Sequence, residues 1–127
     1  MIDQDYVMRI IKEMVRALLK LLFNIDTDSP TAEVLENAEE KEVLENLLNM
    51  VDAGKINEAE NQVYDLISEE KMNDLKMALL FYSYLNSKSD EFLENHEFSR
   101  EEVKIGIEEI ATAVGLSNMA EIFLTEL

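Results

Sequence analysis

Residues 71–86 read KMNDLKMALLFYSYLN. At 100° per residue, Leu75, Met77, Leu79, Leu80, Phe81, Tyr82, Tyr84 and Leu85 point in nearly every direction. A helix that is apolar all round must be enclosed by other elements. Ser68 followed by Glu69 and Glu70 offers its start, so a central helix over 70–86 is expected. With only 3 Gly and 1 Pro in 127 residues, the chain has few turns and long elements, which excludes an all-β domain. At this length folding buries roughly two thirds of the unfolded surface, enough for one core, and apolar residues make up 47% of the chain.

The remaining segments supply the cover. Residues 3–24 form a first helix in which Arg9, Lys12, Glu13, Arg16 and Lys20 share an arc of about 120°. Val7, Ile10, Ile11, Met14, Val15, Leu18, Leu21 and Leu22 fill most of the rest, with Tyr6 and Phe23 at or within the polar arc. Such a helix needs cover on several sides, from its own chain or from another subunit. Ser29 and Pro30 read as an N-cap and first helical position. They open a segment over 31–53 that should break near 37–40, where charges interrupt the apolar stripe of Val43, Leu44, Leu47, Leu48, Met50 and Val51. Gly54 ends it. Asn57 with Glu60 reads as a capping pair for a helix over 57–67. Ser99 and Glu102 form a capping box for a helix over 99–114, which Gly115 stops in a left-handed cap. A last amphipathic helix is expected over 117–127. The fold class is all-α: a single domain over 1–127, one bundle of five to six helices.

The net charge of −17 is unevenly placed. Residues 1–25 hold four basic and three acidic side chains; residues 26–127 hold seven basic and 25 acidic. The chain as a whole repels nucleic-acid phosphates, so no nucleic-acid partner is expected. There is no Cys, hence no disulfide, thiolate metal site or Cys nucleophile. No stretch reaches the ~18 apolar residues that span a bilayer, and the start lacks a basic signal region. A cytoplasmic location is expected.

Two resemblances add to this. Asp5-Tyr6-Val7-Met8-Arg9-Ile10-Ile11 with Leu18-Leu19-Lys20-Leu21-Leu22-Phe23 resembles the start of an uncharacterised family of small acidic bacterial helical proteins. Phe98-Ser99-Arg100-Glu101-Glu102, then Gly106 and Gly115-Leu116, resembles that family's C-terminal part. This resemblance implies no catalytic residue and no ligand, because the family is a domain of unknown function. Locally, residues 43–67 resemble a single tetratricopeptide-repeat hairpin of two antiparallel helices, with Gly54 at the turn, Ile56 after it and Ala59 at the helix contact. The repeat's small residue would fall on Leu47 and its closing Pro on Lys71. No second copy follows at ~34 residues, whereas arrays need about three.

Sites of chemistry are sparse. His96 has Glu94 and Glu97 nearby, but a helical carboxylate–His metal motif needs ligands three or four residues away. Those positions hold Leu93 and Phe92. Asp26 and Asp28 begin like a calcium loop, yet Pro30 replaces the third ligand. Glu39, Glu40, Glu42 and Glu45 read as a solvated helix face. The glycines at 54, 106 and 115 stand alone, so no phosphate loop exists. No catalytic residue, cofactor or metal ligand is assigned.

Two features point to binding. Tyr6, Arg9, Lys12, Arg16, Lys20 and Phe23 form a candidate partner interface on helix 1. Phe81, Tyr82 and Tyr84 form a candidate aromatic pocket. The expected function is a non-enzymatic cytoplasmic protein-interaction or adaptor domain, self-associating through helix 1 as a homo-oligomer. The alternative is a sensor of a small ligand or, less favoured, of an anionic membrane surface, using helix 1 or the pocket.

Overall fold

The structure, a computed structural model, describes residues 4–27, 30–68, 71–116 and 118. Among them are six α-helices and one 3-10 turn, with no strand. They are α1 (Gln4–Phe23), the turn Ala32–Val34, α2 (Ala38–Asp52), α3 (Ile56–Ser68), α4 (Met72–Asn86), α5 (Asp90–Asn95) and α6 (Arg100–Ala113). The helix expected over 117–127 and the capping role of Ser29 fall largely outside the described residues.

α4 is the axis of the bundle and touches α1, α2, α3 and α6. Its Leu75, Met77, Ala78, Leu79, Leu80, Phe81, Tyr82 and Leu85 are all buried, as an all-round apolar helix requires. Its start is Lys71, which makes no side-chain cap, whereas Ser68 closes α3 by donating to the Asp65 carbonyl at 2.8 Å.

α1 runs antiparallel to α4. Asn86 at the end of α4 donates to the Met8 carbonyl at 2.9 Å, and Lys76 near the start of α4 lies 5.1 Å from the ring of Phe23 at the end of α1. Val7, Ile11, Met14, Val15, Leu18 and Leu19 are buried at the i, i+3, i+4 spacing of one helical face, against α4 and α6. Asn24 ends the helix with φ 56, its N–H donating to the Lys20 carbonyl at 3.0 Å. Asn tolerates this left-handed conformation better than other non-glycine residues.

α6 is antiparallel to α4 as well. Arg100 at its start reaches Asn86, and Gly106 lies against Tyr82. Ser99 and Glu102 form a reciprocal capping box. Gly115 closes the helix with φ 79.

The break in the 31–53 segment lies just before α2. Asn37 accepts the N–H groups of Glu39 and Glu40 at 2.8 and 3.1 Å, so the charged residues after it are the first turn of the helix. Acidic side chains favour that end of the helix dipole. Pro30 is not helical. Asn57 does not cap α3: the helix already begins at Ile56, the Asn57 amide donates to the Glu97 carbonyl at 3.3 Å, and Glu60 turns inward. α2 and α3 pack together as a hairpin closed at Gly54, whose φ is 85.

Candidate binding groove

One part of each candidate site meets the other in the structure: Arg9 and Lys12 of the first, Tyr84 of the second. α1 and the end of α4 flank a groove of about 520 Å³, with Pro30 and Thr31 along its edge. Met8, Arg9 and Lys12 come from α1; Ser83, Tyr84 and Asn86 come from the last turn of α4, and Ser87 from the cap that follows it. Its exposed lining is mainly apolar, and two cations stand on it.

The four cations of α1 therefore divide. Arg16 pairs with Asp26 at 3.4 Å, and Lys20 donates to Asn24 at 3.2 Å. Both are engaged by the turn that follows their own helix. Arg9 and Lys12 are exposed, and among the described residues neither forms an ion pair. Arg9 lies 5.6 Å from the ring centre of Tyr6, a cation–π contact that orients the guanidinium without neutralising it.

The expected aromatic pocket separates. Phe81 and Tyr82 have no exposed surface and pack edge to face at 5.3 Å; they are core. Tyr84 alone lines the groove. Its hydroxyl donates to Asp52 at 2.6 Å, and Lys88 donates to the same carboxylate oxygen at 2.7 Å. The Lys88 ammonium also lies 4.6 Å from the Tyr84 ring and 5.0 Å from that of Phe92. The hydrogen bonds from Lys88 and then Tyr84 hold the Asp52 carboxyl below its ordinary value, so the carboxylate stays charged and keeps the ring in place. The groove wall is thus anchored to the C-terminus of α2.

The floor is anchored by Arg100, 4% exposed. It donates to the Asn86 carbonyl at 2.6 Å, to the Lys88 carbonyl at 2.9 Å and to Asp90 at 2.6 Å. Asn86 passes the connection to Met8. Periodicity held a signal for this residue: Arg100 opens the stripe continued by Val103, Ile107 and Ile110. Glu60 carried the same kind of signal, lying between Ile56 and Val63 on the inner face of α3. It is buried and accepts the Tyr82 hydroxyl at 2.9 Å. Burial raises its carboxyl above the ordinary value, against the lowering effect of Tyr82 and with help from Glu102 and Glu109.

His96 is half-buried. It packs on Phe92 with ring centres 4.5 Å apart, bonds the Phe92 carbonyl through Nδ1 at 2.8 Å and covers Gly54, where an added Cβ would come within 2.6 Å of Nε2. Among the described residues no three His, Asp or Glu side chains form a metal set.

The apolar girth of α1 is accounted for inside the chain by α4 and α6. Leu21, 62% exposed, is its one broadly exposed large apolar side chain among the described residues. No described helix is long and apolar enough to cross a membrane.

Comparison with known families finds one match, over residues 1–115, to a family described only as of unknown function, DUF6483. No curated protein and no solved structure matches the chain. These comparisons lend no support to the tetratricopeptide-like character of residues 43–67.

Proposed function

We propose that this chain, which belongs to the family of unknown function DUF6483, is a non-enzymatic protein-interaction domain. It docks an acidic, amphipathic segment of a partner protein in the α1–α4 groove. One observation carries this: on a chain of net charge −17, Arg9 and Lys12 stand without ion pairs among the described residues, on the wall of a mainly apolar groove. Apolar walls favour side chains that leave water. The two cations favour a segment that brings carboxylates and disfavour a basic one. The α2–α3 hairpin serves as scaffold, because Asp52 at its turn fixes Tyr84. A cytoplasmic adaptor role belongs to the same proposal.

A second reading uses the same groove for a small amphipathic anion. Its volume of about 520 Å³ lies in the usual range for small-molecule sites, roughly 300–1,000 Å³.

An NMR titration of the isotope-labelled full chain tests both. The probes are an acidic amphipathic peptide, the same peptide with Lys for Glu, and octyl phosphate. Resonances of Met8–Lys12 and Ser83–Ser87 should move with the acidic peptide and stay still with the basic one. The chain with Arg9→Glu and Lys12→Glu should lose the response. A response to octyl phosphate alone favours the small-anion reading. Equal responses to both peptides would sink the protein-docking proposal.

A further inference from the structure

The groove lies at one end of the bundle, and the chain leaves the described bundle at the other. α6 begins beside the groove, where Arg100 holds Asn86 and Asn86 holds Met8. It then runs away along α4, past Tyr82 at Gly106, toward Leu116. The residues that follow, 117–127, read SNMAEIFLTEL. They hold two glutamates and no basic residue.

On a helical wheel Ile122, Glu126, Met119, Phe123 and Leu127 fall in one arc of about 140°. Glu126 lies inside that apolar arc, between Ile122 and Met119. A carboxylate there is costly against a purely apolar surface. It matches an apolar groove whose wall carries Arg9 and Lys12.

Resting on the groove reading above, we infer that the occupant is residues 117–127 of a second copy of this chain. Reach excludes the same copy when the segment is helical. α6 is 14 residues long, or about 20 Å at 1.5 Å per residue. Residues 117–127 as a helix cover about 16 Å, so they fall short of retracing α6 even before the chain turns. A second copy has no such limit. Reciprocal exchange, each copy giving its segment and receiving the other's, closes a two-fold dimer.

Sedimentation velocity of the full chain at about 0.15 M salt tests this, since at that ionic strength the repulsion between two acidic bodies is screened beyond about 8 Å. The wild type should show a concentration-dependent dimer. Arg9→Glu with Lys12→Glu should weaken it roughly tenfold or more, and so should Glu126→Lys, as loss and reversal of several exposed ion pairs implies. An equimolar mixture of the two variants should recover a heterodimer, because the reversed groove then meets the reversed segment. That recovery also shows that both variants are folded. A wild type that stays monomeric, or a dimer indifferent to both variants, overturns the inference. If the monomer's groove still responds to the acidic peptide, the docking proposal stands without the second copy. If it responds to nothing, both fall.

Discussion

Gly106→Ala should destabilise the protein, although at an ordinary mid-helix position the same change helps. Gly106 lies in α6 and is buried. Replacing a helical Gly by Ala normally gains about 1 kcal/mol. Here the added Cβ would overlap the ring carbons Cζ and Cε1 of Tyr82 and lie 2.7 Å from its hydroxyl oxygen. Tyr82 is fully buried, so its ring has no open space to take. Overpacking of this kind costs typically 1–3 kcal/mol. Moving the ring also strains its hydrogen bond to buried Glu60, and a hydrogen bond to a charged group is worth about 1.5–3 kcal/mol. Set against the helix gain, the net loss is roughly 2–4 kcal/mol. With a urea slope of about 1.5 kcal/mol/M, that lowers the unfolding midpoint by about 1.3–2.7 M. Circular dichroism at 222 nm through a urea titration measures it. Gly115→Ala is the contrast: no atom lies within 4 Å of its added Cβ, but its φ is +79, so its loss should be limited to about 1 kcal/mol of backbone strain. A Gly106→Ala variant as stable as wild type, or more stable, would refute the claim that Tyr82 is locked between α3 and α6.

Arg100→Ala should cost about 1–3 kcal/mol, the range for a buried acceptor stripped of its donor, here the Asn86 carbonyl, since Asp90 is half exposed and stays solvated; chemical denaturation reads it, and a loss under 1 kcal/mol would mean that Arg100 holds nothing. Asn37→Ala should cost about 1 kcal/mol and Asn37→Asp little, because the cap needs only a side-chain oxygen facing the Glu39 and Glu40 N–H groups; a thermal melt of both variants checks this. Glu60 predicts a pH dependence. Its carboxyl value is raised on folding, so its contribution is full below about 4.5, the ordinary glutamate value, and is lost as pH rises through the raised one. Stability of Glu60→Gln should therefore fall less steeply than wild type between pH 4.5 and 7, with Glu108, raised by its own burial, leaving a residual slope; parallel slopes in the two proteins would contradict the burial of an ionisable group at position 60.

Local pattern and tertiary packing divide the account of this protein. The helical class was legible because its signals are local. The all-round apolar run in 71–86, the Ser99–Glu102 box and the glycines at 54 and 115 each act within a few residues, through backbone hydrogen bonds and permitted φ. Cap assignment was less secure, because several polar residues compete for each helix start. Asn37, at the expected break, caps α2, and Asn57 went to the Glu97 carbonyl.

The site was legible only in parts. The wheel found Arg9 and Lys12 as part of a basic arc, and composition made them unusual. It could not separate them from Arg16 and Lys20, since that depends on where the chain turns after Phe23 and brings Asp26 back. It grouped Tyr84 with Phe81 and Tyr82, since adjacent positions on one helix carry no record of which neighbour each will meet. Arg100 and Glu60 stood on apolar stripes, a sign of burial, but their partners come from α4 and the segment that follows it, and nothing in their own segments names them.

By itself the sequence determined a helical bundle around residues 71–86, with a strongly acidic body and a basic first helix, because periodicity and charge are properties of the chain. Only the tertiary structure decided that Arg9 and Lys12, which form no ion pair among the described residues, share a groove with Tyr84. That outcome depends on the antiparallel packing of α1 against α4 and on Asp52, which is 32 residues from Tyr84 in the chain.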